Sequence, residues 1–177
     1  PYMGLSNTYA LLSIYNIALP GESMPKSRKL AEKALELNPN MGSAYTTIAW
    51  VQFMYDYEWR NAEKNFKKGI ELNLNNATGY QWYGVFLAHT GRASASIPLF
   101  TKAGQLDPES MIIREGLSMG WWLSEGRGKA LGLVDNSFEN DPYFPPGLRL
   151  KYDWLYADTS QAAIAHLEKA IRVYPNQ

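Results

Sequence analysis

The chain has 177 residues, of which 46% are hydrophobic, and its 17 Lys and Arg residues are balanced by 17 Asp and Glu residues. Without a net charge there is no overall field to attract nucleic acid or an anionic membrane, and we expect neither as a partner. No stretch approaches the ~18 apolar residues that cross a bilayer. The absence of cysteine excludes disulfides and thiolate metal sites.

The start of the chain bears on its context. It begins at Pro1 rather than at methionine, and it shows no secretory signal peptide. We therefore expect a fragment of a longer protein, located in the cytoplasm, or in the periplasm if a membrane span lies upstream.

The first predicted helix pair covers residues 4–39. Its first helix spans 4–18, Pro20 and Gly21 end that helix, and Pro25 opens the second one. Basic residues on the second helix alternate with glutamates, which favours a solvated face over a phosphate-binding patch.

The second pair covers residues 40–74. We predict a first helix over 42–55 and a second helix from residue 59, with Asp56 as the N-terminal cap of the second. Asp56 and Glu58 are also a pair of carboxylates. The sequence signals no nucleophile or apolar pocket beside them, which favours capping over acid–base catalysis.

The third pair covers residues 75–108, and Pro98 falls within its second helix. A helix that starts near Ser94 or Ser96 would place this proline in its first turn, where proline is tolerated. We prefer that start to one near Arg92, which would put a kink in the helix.

The fourth and fifth pairs cover residues 109–142 and 143–175. The Glu-Gly-Arg sequence around Gly126 aligns with the Thr-Gly-Arg turn around Gly91, which indicates an inter-helix turn rather than a phosphate-binding loop. The helices predicted for the fifth pair span 146–156 and 159–173.

All five pairs follow one pattern at nearly constant spacing. Each ends at a closing position, usually proline, and the intervals between these positions are 35, 34, 34 and 33 residues. Small residues lie five and twelve positions before each end, and an apolar residue lies eight before it. The small residues let two antiparallel helices approach closely, and the apolar residue fills the space beside their contact. The closing positions are Pro39, Leu74, Pro108, Pro142 and Pro175.

These positions carry a resemblance to a known family. With Tyr80, Gly84, Ala103 and Pro108 at diagnostic positions, the chain resembles the tetratricopeptide repeats over essentially its whole length. The resemblance implies an all-α fold, a right-handed α–α superhelix of about five repeats that forms a single array. The stretch around the second repeat is also similar to arrays appended to bacterial signalling and transcription-regulator proteins. Departures from the family pattern are Gly69, Leu74, Arg114, Ser137 and Gly147.

The resemblance also implies a binding groove, because the first helix of each repeat in this family faces a concave surface. The residues implied are mostly apolar and aromatic, and none is basic, so we do not expect a cationic clamp for a terminal carboxylate. A register shift of one residue would exchange Trp122 for Trp121, and groove for core. The residues implied are Thr46, Trp50, Phe53, Met54, Gln81, Val85, Ala88, His89, Glu115, Met119, Trp122, Leu123, Leu148, Tyr152, Leu155 and Tyr156.

The function implied is that of an interaction module rather than an enzyme. His89 and His166 lie in separate repeats without a metal-binding spacing, and we expect no metal or cofactor. We expect the groove to bind an apolar or amphipathic segment of another protein, as the docking or sensing part of a larger regulatory protein. The alternative is self-association through the groove or through the last helix.

Overall fold

The structure is a computed structural model that describes residues 1–126 and Ala130. Seven α-helices and one π-helical turn make up nearly all of this part of the chain. They are α1 (Tyr2–Ile14), α2 (Pro20–Leu37), α3 (Gly42–Val51), the π-helical turn (Gln52–Asp56), α4 (Trp59–Leu72), α5 (Ala77–His89), α6 (Ala93–Leu106) and α7 (Met111–Glu125).

The helices pack as consecutive pairs. Helix α1 packs on α2, α3 on α4 and α5 on α6, each pair packs on the next, and α7 adds the first helix of a fourth pair. The prediction of an all-α array of helix pairs is confirmed. The fifth predicted pair lies outside the described residues, and so does the fourth pair's second helix, apart from Ala130.

Small residues bring the helices of each pair together, as predicted. The residues twelve positions before the closing positions of the first four repeats, Ser27, Ala62, Ser96 and Ala130, are fully buried. In the first pair, Ser6 Oγ donates to the Ser27 carbonyl oxygen at 2.7 Å, and Ser27 Oγ donates to the Ser6 carbonyl oxygen at 2.9 Å. The two hydroxyls therefore satisfy each other's backbones where α1 and α2 are closest.

Large side chains fill the space beside these contacts. Phe66 and Phe100, each eight positions before a closing residue, are fully buried. Phe100 lies against Gly84 of α5 and Gly116 of α7, since a Cβ at either glycine would overlap its ring. One phenylalanine thus packs against the helices on both sides of α6.

Two helix starts differ from the predictions. Helix α2 begins at Pro20 rather than Pro25, and α6 begins at Ala93, so Pro25 and Pro98 lie inside helices. Each proline removes one backbone N–H that would pair with the carbonyl four residues earlier. Those carbonyls belong to exposed residues, Gly21 and Ser94, where water can satisfy them.

The first helix also ends earlier than predicted. Helix α1 stops at Ile14 rather than at residue 18. Asn16 follows in the left-handed region with φ of 56°, a conformation that asparagine tolerates better than most residues and that does not continue a helix.

The π-helical turn explains the one long repeat. The interval from Pro39 to Leu74 is 35 residues, and a π-helical turn takes up one extra residue without shifting the register of the next helix. Tyr57 ends the turn at φ 60°. Asp56 forms an ion pair with Arg28 of α2, so its predicted role as a helix cap is wrong, and Glu58 takes the N-cap position of α4.

The glycines that follow α5 and α7, at the two aligned Gly-Arg sequences, both have positive φ, and the residues after Gly126 that would complete the second predicted turn lie outside the described residues. Gly91 has φ of 80° and Gly126 has φ of 85°. This left-handed conformation strains residues other than glycine. In the part of the chain described, no helix combines the length and apolarity that crossing a bilayer requires.

Candidate functional site

The candidate site is the surface of the first helices, and four of the residues expected on it, Ala88 among them, are buried. Thr46, Trp50 and Phe53 lie in the core, with Trp50 only 5% exposed. Their expected exposure is therefore wrong. Helix α3 has α1, α2, α4 and α5 as neighbours, so most of its circumference is covered, and only a narrow strip of it faces solvent.

An aromatic cluster holds these buried side chains in place. The Trp50 ring lies 4.8 Å from the ring of Trp82, and the Phe53 ring meets that of Phe86 edge-on at 5.2 Å. Trp50 Nε1 is buried without a hydrogen-bond partner among the described residues. This cluster joins the second repeat to the third and forms part of the core.

The other described candidates form a strip with at least partial solvent access, apart from Ala88, which is buried. Met54 is 44% exposed and lies on the π-helical turn. The strip continues through α5 and α7 with Gln81, Val85, His89, Glu115, Met119, Trp122 and Leu123. Leu148, Tyr152, Leu155 and Tyr156 lie outside the described residues.

His89 places an imidazole ring in a defined orientation on the strip. Its Nδ1 lies 2.9 Å from the carbonyl oxygen of Val85. Because a carbonyl only accepts, Nδ1 must carry the proton and donate it, and Nε2 of the neutral ring is then an acceptor. The His89 ring also lies 6.3 Å from Phe53, edge to face, so its orientation is fixed from two sides.

The strip's chemistry suits binding better than catalysis. Its side chains are apolar or weakly polar, with one carboxylate, one imidazole and one amide. Within residues 1–126, no three His, Asp or Glu side chains come close enough to hold a metal ion. The arrangement offers apolar contact area and a few hydrogen bonds.

An ion-pair network lies beside the aromatic cluster. The sequence patterns did not predict it. Arg92, in the turn before α6, donates from Nη1 to both carboxylate oxygens of Glu63 at 3.0 Å. The Arg92 hydrogen bond lowers the pKa of the Glu63 carboxyl to about 2. Burial, and then the adjacent Glu63 charge, raises the pKa of Tyr83 to about 12. The network ties α4 to the α5–α6 turn and thereby holds the strip's central helix.

A second concave feature lies between α2 and the π-helical turn. It is a cleft of about 370 Å³ with the Arg28–Asp56 ion pair along one side. Two basic and two acidic residues line it, so their charges balance. Its lining residues are Pro25, Arg28, Lys29, Glu32, Val51, Tyr55 and Asp56.

Solved structures match this fold over nearly the whole chain. YrrB, described as a TPR protein with an unusual peptide-binding site, superposes with a TM-score of 0.64 at 21% identity, covering 100% of this chain and 87% of its own. TTC0263, a thermophilic TPR protein of Thermus thermophilus, gives 0.72 at 19% identity, with 97% and 93% covered. PilF of Pseudomonas aeruginosa gives 0.66 at 18% identity, with 99% and 95% covered. The chain has the tetratricopeptide-repeat fold. No protein-family model and no curated protein matches the sequence.

Two departures from the tetratricopeptide pattern now have structural reasons. Gly69 replaces the usual alanine because a Cβ there would lie 2.8 Å from the Gly42 carbonyl oxygen. Leu74 replaces the closing proline, and α4 ends without it. Asn73 Oδ1 accepts a hydrogen bond from Asn75 N at 3.1 Å, a side-chain turn that stops the helix.

Proposed function

We propose that this chain is a non-catalytic interaction module that binds an apolar or amphipathic segment of another protein along the strip from Met54 to Leu123. The supporting observation is that partly exposed apolar side chains recur on the ends or faces of successive first helices. Met54 stands at the end of the first helix of repeat two, Val85 on α5, and Met119 on α7.

The side chains suit a segment without strong charge. Methionine has a flexible, polarisable side chain that adapts to different apolar partners. Gln81 and His89 can hydrogen-bond to polar edges of a bound segment, and Glu115 is the strip's one anionic side chain. An amphipathic helix would place its apolar face on Val85 and Met119 and its polar face outward.

One structural comparison supports a peptide-like ligand, and one resemblance of the sequence supports a regulatory setting. YrrB, which shares the fold, is described by its peptide-binding site. The resemblance of the second repeat to arrays of bacterial signalling and transcription-regulator proteins supports a docking or sensing role within a larger protein. The peptide-like ligand and the regulatory setting are both parts of this proposal.

A displayed-peptide selection tests this function. Peptides selected on the 177-residue chain should be apolar or amphipathic. Their affinity should fall about tenfold or more for Met119→Glu and for Met54→Glu. The matched control is Leu37→Glu, at an exposed site at the end of α2, which should leave affinity unchanged. Selected peptides that bind both strip variants as well as the parent would refute the proposal, provided circular dichroism shows the variants to be folded.

A further inference from the structure

The segment that joins the two helices of repeat two exposes three aromatic side chains, which we call the aromatic edge. Tyr57 is 73% exposed, Trp59 53% and Tyr55 37%. The corresponding segment of repeat three, residues 90–92, reads Thr-Gly-Arg and carries no aromatic residue. Repeat two packs against repeat one on one side and repeat three on the other, so its exposed edge does not result from where the sequence starts.

Tyr57 also holds a backbone conformation that its side chain disfavours. Its φ is 60°, in the left-handed region where the Cβ of a residue other than glycine crowds the backbone. After the first helices of repeats one, three and four, the residues at positive φ are Asn16, Gly91 and Gly126, which tolerate it better. The Tyr57 side chain forms no hydrogen bond or ring contact within residues 1–126. The fold therefore does not require a tyrosine here, and such strain in an exposed residue points to a role in binding.

Contacts on both sides of Tyr57 hold the turn in place. Asp56 is paired with Arg28 of α2, and the Glu58 N–H donates to the Gln52 carbonyl oxygen at 2.9 Å. The turn is thus fixed before a ligand arrives, which reduces the entropy that binding costs.

The cleft between α2 and the π-helical turn begins at this edge. Tyr55 lines the cleft together with Pro25 and Val51. The Tyr55 hydroxyl reaches the first turn of α2, where it would lie 3.9 Å from a Cβ at Gly21. The exposed rings and the apolar wall of the cleft therefore adjoin each other.

Four side chains around the aromatic edge carry hydrogen-bond donors without a partner within residues 1–126. A surface of this kind suits a segment whose backbone carbonyls are free. A helix uses its carbonyls internally, and an added strand needs the edge of a sheet, whereas residues 1–126 contain helices only. A polyproline II segment has no internal hydrogen bonds, so its carbonyls remain available. The four donors belong to Tyr55, Tyr57, Trp59 and Lys29, which lines the cleft.

We propose that the aromatic edge binds a proline-rich segment of a partner protein in the polyproline II conformation. Proline rings of the segment pack on Tyr57 and Trp59, another enters the cleft beside Tyr55, and the free donors bind its carbonyls. Aromatic surfaces recognise such segments because the ligand is extended before it binds and loses little entropy. The aromatic edge shares no residue with the Met54–Leu123 strip.

Charge favours this occupant over a second copy or an anionic membrane. Asp56 and Glu58 flank Tyr57, and residues 52–59 contain no Lys or Arg. A twofold axis at this turn would bring the carboxylates of two copies together, and an anionic lipid surface would repel them. A proline-rich segment brings no negative charge of its own, and the charges that line the cleft balance.

Fluorescence anisotropy of labelled decaproline with the 177-residue chain tests the proposal. We expect saturable binding with a dissociation constant of about 100 µM or below, and none for a Gly-Ser peptide of the same length. Trp59→Ala should weaken the binding about tenfold or more. Tyr2→Ala, at an exposed aromatic near the start of α1, and Met119→Glu, on the strip, should leave it unchanged.

Tyr57→Gly separates a binding role from a structural one. Glycine adopts positive φ without strain, so the thermal midpoint should hold or rise. Binding of decaproline should nevertheless weaken about tenfold or more. A tyrosine that served only the fold would show the reverse, a lower midpoint with unchanged binding.

Several outcomes would overturn the proposal. One is no saturable binding of decaproline up to about 1 mM, and another is binding that survives both Tyr57→Gly and Trp59→Ala. Binding lost in Met119→Glu would place the segment on the strip. Without decaproline binding, a dimer dissolved by Trp59→Ala would assign the edge to a second copy, and vesicle binding lost in Trp59→Ala would assign it to a lipid surface. Selected peptides that depend on Met119 would be unaffected by any of these results, so the two sites fail or stand separately.

Discussion

Arg92 and Glu63 form an ion pair between adjacent repeats, in which one guanidinium nitrogen contacts both carboxylate oxygens. Arg92 Nη1 donates to both carboxylate oxygens of Glu63 at 3.0 Å, and the Arg92 guanidinium also lies over the Phe86 ring, 5.4 Å from its centre. Tyr83 donates to Glu63 Oε1 at 3.1 Å. One carboxylate thus receives hydrogen bonds from both α5 and the turn after that helix, and a charge change there acts on the junction of repeats two and three.

Acid should weaken this junction before it affects most of the fold. The pKa of Glu63 is lowered from 4.5 to about 2 in the folded chain. The stabilisation is therefore complete above about pH 4.5 and is lost as the pH falls towards 2. Because Glu63 and Arg92 remain partly exposed, we expect only about 1 kcal/mol at neutral pH. Urea unfolding at several pH values measures it.

Glu63→Gln supplies the comparison. This variant should lose about 1 kcal/mol of unfolding free energy at neutral pH, and the deficit should shrink as the pH falls from 4.5 to 2 and below, because protonated Glu63 and glutamine are both neutral. Glu71→Gln, on the exposed side of the same helix, should behave as the parent at neutral pH. A pH-independent deficit in Glu63→Gln would mean that packing, not charge, accounts for its effect.

Trp50→Ala should strongly destabilise the chain. The indole is buried between α3 and α5, and removing a buried tryptophan costs about 3–5 kcal/mol. A fall of the thermal midpoint by roughly 10 °C or more is expected. Met54→Ala, on the exposed π-helical turn, should leave it nearly unchanged. An unchanged thermal midpoint in Trp50→Ala would mean that this residue lies on the surface, as the groove pattern implied.

The repeat itself was predictable because it depends on local rules. Positions such as Ser27, Ala62 and Phe66 follow from what two helices need at close range, and each lies where the spacing placed it. The side of α3 that faces solvent follows no such rule. Thr46 and Trp50 lie one turn apart on that helix, and their burial depends on four neighbouring helices, which a sequence pattern does not position.

The positions of the helix ends and the partners in the ion pairs could not be predicted from the sequence either. The 35-residue interval showed that repeat two holds an extra residue, but not that a π-helical turn would take it up and turn Asp56 towards Arg28. Pro25 and Pro98 suggested helix starts. Both lie inside helices instead, because water can satisfy the carbonyls that they leave unpaired. The contact of Arg92 with Glu63 spans 29 residues, so only the packed repeats bring the two together.

Removing one residue from the π-helical turn should be tolerated. Deleting Met54 restores a 34-residue interval, and the turn can become α-helical without rotating α4. We expect a folded chain with a change in unfolding free energy of about 1 kcal/mol or less. The matched deletion is Thr101, an exposed residue inside α6. Its loss rotates Ala103 by about 100° away from its buried contact and should prevent cooperative unfolding. Equal damage from both deletions would contradict a role of the turn in absorbing the insertion.

Two glycines on neighbouring helices should respond oppositely to alanine. Gly116 of α7 lies against the Phe100 ring, where a Cβ has no space, and overpacking such a site costs about 1–3 kcal/mol. Gly104 of α6 is different, because its Cβ would meet Ile113 Cγ2 at 3.7 Å, an ordinary contact. Gly104→Ala should therefore be neutral or stabilise by up to about 1 kcal/mol. Urea unfolding of both variants decides the matter. Gly116→Ala at or above parental stability would show that Phe100 does not fill the junction of α5, α6 and α7.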